Sequence, residues 1–422
     1  METDPSTKLA PDSPPRASLA SPLRIVAVWG PGLLVMLADT DAGNVVTAAQ
    51  AGAQWGYRLL PLLFLLIPLL YMVQELTVRL GIFTGRGHGE LIRDTFGPRW
   101  AWLSAVGLAI ATIGSLITEF TGIAGIGELY GLSRALTLPV SAGVLLLVVA
   151  TGSYRRTEWA ALMIGMFELA FFAVAWAAHP DTATILHDSV DIPFANREFL
   201  YLAAAIVGAV FNPWMVFYQQ SAVADKHLHA ADYRSERWDT ALGAILTQCL
   251  TAAVLVAAAA TLGAHGAPQS LNSVGEISTA LSLLLGGPVA QAVFSAGVLG
   301  AAMVAAIVSS LALAWGIGEV AGFRRSLEAQ PFKTPWFYGI YALCVVGSAA
   351  VVWVASDLVW LTITVQVLNA FLLPLVFGFL IALSIKALPP AYRLRGWYLW
   401  TVLGVSSIVC GLGLVGGLSG LF

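Results

Sequence analysis

The chain has 422 residues, 58% of them hydrophobic and only 11% charged, with a net charge of -3 and a mean hydropathy of +0.81. Soluble domains carry about 25% charged residues, so neither a water-soluble enzyme nor a disordered chain fits, and no basic surface is present to hold nucleic acid. Cys249, Cys344 and Cys410 are odd in number and lie in apolar runs, as small buried hydrophobes rather than a disulfide or metal framework.

Residues 1–22 are rich in Pro and Ser with charges of both signs, and read as a disordered cytoplasmic tail rather than a signal peptide. Eleven apolar runs follow, each near the ~20 residues that cross a bilayer as helix. They lie at about 25–52, 58–82, 101–127, 136–152, 157–178, 198–223, 239–263, 288–320, 337–355, 358–385 and 397–420. Lys and Arg concentrate in cytoplasmic loops, which tests the count. With the N-terminus inside, every Lys and Arg except Arg58, Arg134 and Arg197 falls in the tail, in an even-numbered gap or beside one. The expected protein is an all-α, multi-pass protein of the cell membrane, with its N-terminus cytoplasmic and its C-terminus extracytoplasmic.

Two spans are interrupted. Asp39-Thr40-Asp41-Ala42-Gly43-Asn44 breaks the first near its middle, and Gly208-Ala209-Val210-Phe211-Asn212-Pro213 breaks the sixth. Proline removes a backbone donor and clashes with the preceding turn, so the carbonyls just before Pro213 are freed. Non-helical backbone at membrane depth survives only where it lines a cavity or contacts protein. The breaks stand at matching places in spans 1–5 and 6–10, the pattern of a transporter with inverted repeats and a central site. The expected fold is a LeuT-like 5+5 inverted repeat, with repeats at 23–180 and 181–386 and an additional helix at 387–422.

Asp41 and Asn44 flank a glycine in the first break. An ionised carboxylate at mid-bilayer needs a partner or a function. No Lys or Arg occurs at similar depth in any span, so an imported cation is the natural counter-charge.

The run Gly30-Pro31-Gly32-Leu33, then Asp41-Ala42-Gly43-Asn44 and Gln50-Ala51-Gly52-Ala53-Gln54-Trp55-Gly56-Tyr57, resembles the first helix of Nramp divalent-metal transporters. That family carries Asp-Pro-Gly-Asn followed by a Gln-Ala-Gly-Ala-Gln-Tyr-Gly-Tyr-like stretch. The resemblance continues through Gln74-Glu75, Arg79-Leu80-Gly81, Gly208-Ala209, Gln366 and Pro374. Several positions depart from the family. Ala42 replaces its proline, and its Met-Pro-His becomes Asn212-Pro213-Trp214. A second histidine falls on Gln219, Asp-x-x-Glu becomes Glu119-Phe120-Thr121-Gly122, and Asp39 adds an acid. Together these look like the Nramp-related magnesium transporters.

The resemblance implies a metal site of Asp41, Asn44, Ala209, Asn212 and Gln366, with Asp39 and Glu119 as secondary polar candidates. A thioether favours transition metals, whereas carboxylate, amide and carbonyl oxygens suit Mg²⁺, Ca²⁺ and Mn²⁺. With Asn212 in place of Met the inferred site is all oxygen. Mg²⁺ keeps several waters and touches one or two carboxylates, whereas Ca²⁺ prefers more ligands. The expected function is import of partly hydrated Mg²⁺, with Mn²⁺ also carried, by alternating access without proton coupling. The alternative is a proton-coupled Mn²⁺/Fe²⁺ importer. Sodium-coupled amino-acid uptake on the same architecture is disfavoured, because Asp41 would repel a substrate carboxylate. No Gly-x-Ser-x-Gly, His-Glu-x-x-His or membrane histidine supplies enzyme chemistry. No cofactor is expected, and the protein is expected to be a monomer.

Weaker readings attach elsewhere. Glu75 and Glu168 are expected to pack rather than react, and Asn369 shares a helix face with Gln366 at i, i+3. His227 and His229 are expected to be solvated, and Asp181, Asp188 and Asp191 to form a hydrated face.

Overall fold

Inside a bilayer an apolar run satisfies all its own backbone groups only as a helix. The computed structural model describes residues 30–262, 288–324, 327, 331–355 and 358–419, and they contain helices and short 3₁₀ turns but no strand. The expected tail at 1–22 lies outside them. The first half comprises α1 (Pro31–Asp39), α2 (Ala42–Trp55), α3 (Leu60–Thr84), α4 (His88–Phe96), α5 (Pro98–Leu129), α6 (Arg134–Ala150), α7 (Tyr154–Gly165), α8 (Ala170–Ala177) and α9 (Thr182–Asp188). The second comprises α10 (Arg197–Val210), α11 (Pro213–Asp225), α12 (Tyr233–Thr261), α13 (Pro288–Ala321), α14 (Pro335–Val354), α15 (Leu358–Lys386) and α16 (Gly396–Ser419).

Among the described residues nine helices are long and apolar enough to cross a membrane by length and composition, with α7–α8 and α10–α11 each taken as one. The apolar α6 is shorter. The pair α1 and α2, of 9 and 14 residues, fills the first apolar run. Both breaks are narrower than the sequence suggested. Only Thr40 and Asp41 leave the helix in the first, and only Phe211 and Asn212 in the second. Two short helices, α4 and α9, occupy gaps expected to be loops.

Side-chain contacts sort the gaps into two faces. Arg58 after α2 pairs with Asp191 after α9 at 2.9 Å. Arg134 after α5 donates to the Ala355 carbonyl after α14 at 2.7 Å, and Ser419 at the end of α16 reaches the Arg197 carbonyl. On the opposite face Lys226 binds Glu158 at 2.6 Å. There Arg79 reaches the Tyr392 carbonyl, and Arg93 the Glu319 carbonyl. Gly30 joins this second face through Asp239 of α12. The two ends of the helical region therefore contact different groups of gaps, Gly30 through Asp239 and Ser419 through Arg197. The outer surface is apolar, with Leu65 and Leu147 exposed as lipid-facing side chains are. Exposed Trp176, Trp336, Trp397 and Trp400 stand near helix ends, where indole rings anchor at interfaces.

The broken sixth segment is the centre of the fold, almost wholly buried, whereas most of α7–α8 is exposed or half-buried. Gly208 makes this possible, because a Cβ there would sit 1.7 Å from the Gln366 carbonyl oxygen of α15.

The outer loop is a correction. Asp188 is buried and accepts the Tyr57 N–H at 3.2 Å, so it does not belong to a hydrated face, whereas Asp181 and Asp191 are exposed as expected, Asp191 pairing with Arg58. Asp181 caps α9 through Ala183 and Thr184. His227 and His229 are exposed, as expected. Glu75 bonds Arg79, Tyr233 and Tyr398, a packing role.

His88 in α4 is a buried histidine that no pattern in the sequence marked. It lies 2.8 Å from Gln220 Oε1 and edge-on to Phe217. Burial pushes its pKa down to about 4, against a smaller opposing effect of the Gln220 hydrogen bond. Between that value and the ordinary 6.5, the unfolded chain binds a proton that the folded one refuses. This stability is full above pH 6.5, falls as pH drops, and is worth on the order of 3 kcal/mol. Thermal melting from pH 7 to 4 should therefore fall less steeply in His88→Asn than in the parent, and identical slopes would remove His88 as the cause.

Candidate metal centre

Asp41 begins α2 as its N-cap, in extended backbone (φ -67°, ψ 172°), and its Oδ1 accepts the Asn44 N–H at 2.6 Å. A carboxylate is favoured there by the free N–H groups and the helix dipole. Pro213 begins α11 and supplies no N–H, so the Ala209 carbonyl one turn earlier is released from the helix ladder. Two amides take it up: Asn44 Nδ2 at 3.2 Å and Asn212 Nδ2 at 2.9 Å. The two breaks are thus tied across the fold by side chains of both. Asn44 Nδ2 also reaches the Asp39 carbonyl at 2.5 Å, and Asn212 Nδ2 lies 3.4 Å from Asp41 Oδ2.

From α15, Gln366 and Asn369 close the centre. Asn369 Nδ2 donates to Asn212 Oδ1 at 2.7 Å and to Gln366 Oε1 at 3.2 Å. Gln366 Nε2 packs over Gly43, where a Cβ would lie 1.9 Å away. The structure therefore brings together Asp41, Asn44, Ala209, Asn212 and Gln366, and adds Asn369, which the sequence placed on the right face without a role. Asn369 Oδ1 and Gln366 Nε2 are buried with no hydrogen-bond partner. Asn369→Ala should leave Asn212 free to turn and raise the KM for divalent cations by about tenfold at unchanged expression. An unchanged KM would make Asn369 a packing residue.

Asp41, Asn44, Asn212 and Gln366 are at most 2% exposed, so the centre is closed to both faces. The amide N–H groups of Asn44 and Asn212 point at the Ala209 carbonyl and Asp41, the acceptors a cation would also use. Turning each amide end for end presents oxygen in place of N–H. The resulting donor set is one carboxylate, a carbonyl and amide oxygens, without sulfur or imidazole. Among the described residues no group of three or more His, Cys, Asp or Glu is spaced to hold an ion.

The secondary candidates lie beside this set. Glu119 Oε2 accepts the Ala42 N–H at 3.0 Å, a donor that proline at this position would lack. Thr118 donates to its other oxygen at 3.2 Å. Gly122 packs on Ala42, where a Cβ would lie 2.6 Å from the alanine methyl. Asp39 is fully buried, and its carboxylate has no hydrogen-bond partner. Trp214 donates to Ser115, and Gln219 bridges Thr77 and Thr240, so both are structural.

Residues 32–419 match the family described as natural resistance-associated macrophage protein-like, Nramp. The chain is 32% identical over 354 residues to "Divalent metal cation transporter MntH 1" of Pseudomonas aeruginosa, covering 76% of this chain and 77% of that one. It is 29% identical over 301 residues to "Divalent metal cation transporter MntH" of Bradyrhizobium diazoefficiens, covering 68% and 67%. The crystal structure of the Eremococcus coleocola manganese transporter, bound to an aromatic bis-isothiourea compound, superposes with a TM-score of 0.75 at 18% identity. It covers 94% of this chain and 87% of that one.

Proposed function

The chain belongs to the Nramp family, and we infer that it is a divalent-cation transporter whose preferred cargo is Mg²⁺, with Mn²⁺ also carried. The fold is the LeuT-like inverted repeat with broken first and sixth segments. One observation carries the reading: Asp41, the freed Ala209 carbonyl and the amides of Asn44 and Asn212 converge on one buried point, where the amides, once turned, complete an all-oxygen set. Such a set with a single carboxylate suits an ion that keeps part of its water. In this reading residues 23–180 and 181–386 rock against each other about the site, and 387–422 is an added helix. The Lys- and Arg-rich face is cytoplasmic.

Transport runs down the ion's own gradient and the membrane potential, without protons. A divalent cation gains about 4.6 kcal/mol across 100 mV, which is drive enough. Trp214 and Gln219 carry no titratable group where the family has histidine, and Gly122 removes an acid. The test is Mg²⁺ uptake into liposomes at fixed voltage with a pH dye in the lumen. Uptake without acidification is expected. Glu119 beside the first break favours the second reading, a proton-coupled Mn²⁺/Fe²⁺ importer. Acidification that scales with flux, and is lost in Glu119→Gln while uptake persists, would establish it.

A further inference from the structure

Four carboxylates surround the break in the first segment: Asp39, Asp41, Glu119 and Glu168, each 0% exposed. Two are provided for. Asp41 accepts the Asn44 N–H, and Glu119 accepts the Ala42 N–H and the Thr118 hydroxyl. The other two are not, since all four carboxylate oxygens of Asp39 and Glu168 lack a hydrogen-bond partner. No described Lys, Arg or His forms an ion pair with any of the four. A buried carboxylate left in this condition costs several kcal/mol.

The two unsatisfied acids are joined by a polar path. Asp39 faces Asn212 and Thr247 of α12. The Thr247 hydroxyl is 2.8 Å from that of Thr40. Thr40 in turn faces Glu168, which lies within electrostatic reach of Asp39 and Asp41. Glu168 sits in a 3₁₀ turn, Met166–Leu169, that interrupts the fifth segment between α7 and α8. Tighter turns inside membrane helices often mark function. The turn is held from behind by Gly300 of α13, where a Cβ would lie 2.9 Å from the Phe167 Cβ. The path starts beside the Asp41 centre, where Asp39 faces Asn212, and ends at Glu168 in the fifth segment.

We infer that Asp39 and Glu168, with the Thr40 and Thr247 hydroxyls, form a second subsite for a hard, oxygen-ligated cation, separate from the Asp41 centre. The charge count rests on the divalent reading above: one divalent ion at Asp41 offsets two of the four carboxylates and leaves Asp39 and Glu168. Carboxylate and hydroxyl oxygens suit Na⁺ and Mg²⁺ alike and exclude soft metals. Occupancy of the subsite would couple the fifth segment to the break through Thr40.

Two measurements on the full-length protein in nanodiscs test this. The first is the number of Mg²⁺ ions bound per chain by equilibrium dialysis. The second is thermal melting at saturating Mg²⁺ in choline, Na⁺, K⁺ or Li⁺ chloride. The expected result is either two Mg²⁺ per chain, or one together with a rise in Tm in Na⁺, K⁺ or Li⁺ over choline. Glu168→Gln should weaken the second ion by about tenfold or more and change the affinity of the first by no more than about threefold. Asp41→Ala should remove the first, so that failure of the divalent reading is seen separately. Thr247→Val keeps every charge and should weaken only the second ion, which serves if Glu168→Gln does not fold. One Mg²⁺ per chain with equal melting in all four salts would overturn the subsite and leave protons as the neutralising charge. A second ion that persists in both variants would overturn its assignment to these residues.

Discussion

Asp41→Ala should abolish divalent-cation uptake while leaving a folded protein in the membrane. At 4 Å and an effective dielectric near 20, attraction amounts to about 4 kcal/mol per pair of unit charges, and about twice that for a divalent ion. Asp39 also faces Asn212, but among the described residues only Asp41 brings a carboxylate oxygen within hydrogen-bond distance of the Asn212 amide. The loss should reach at least about a thousandfold, because even half of the attraction for a divalent ion, about 4 kcal/mol, is nearly three factors of ten. Asp41 also caps α2, and losing a cap costs about 1 kcal/mol. Asp41→Asn separates the two effects, since Asn caps as well as Asp. It should retain the Tm of the parent and still fail to transport. Near-normal Mg²⁺ flux in either variant would sink the site assignment.

Asn212→Met should change which ion is carried. The substitution removes the donor to the Ala209 carbonyl and the acceptor for Asn369, and brings a soft sulfur to the centre. Soft ligands favour transition metals, so Mn²⁺ and Cd²⁺ should compete about tenfold better against Mg²⁺ than in the parent. The KM for Mg²⁺ should rise, because an amide that held ion or water has gone. Competition between Mg²⁺ and Mn²⁺ in the same liposomes measures this directly. An unchanged profile in folded protein would place selectivity elsewhere.

The sequence carried the two breaks because their causes are local. Pro213 lacks an N–H wherever the chain goes, and an aspartate followed by Ala-Gly-Asn caps a helix with its own neighbours. The apolar runs and the asymmetry of Lys and Arg are likewise sums over short stretches. They fixed the helical class and the pairing of gaps into two faces without reference to any contact.

What remained hidden depended on which helices meet. Gln366 and Asn369 lie on one face of α15, and only the approach of Asn212 made Asn369 a member of the centre. Asp188 looked hydrated by composition, but Tyr57, 131 residues earlier, uses it as a backbone acceptor. His88 stood in a polar gap, and α11 buries it against Phe217. Glu168 is one acid in an apolar helix by sequence, and becomes a partner of the first break only through Thr40.

The start of α1 shows the division most plainly. Gly30, Gly32 and Leu33 expose N–H groups that no nearby side chain accepts, and Asp239 takes all three at 2.9–3.1 Å across more than 200 residues. By itself the sequence determined that this protein is a bundle of membrane helices broken twice, because helix length, proline and capping act over a few residues. Only the tertiary structure decided which acids and amides share a buried point, because the hydrogen bonds that tie the two breaks and α15 together join segments whose facing sides are chosen by packing.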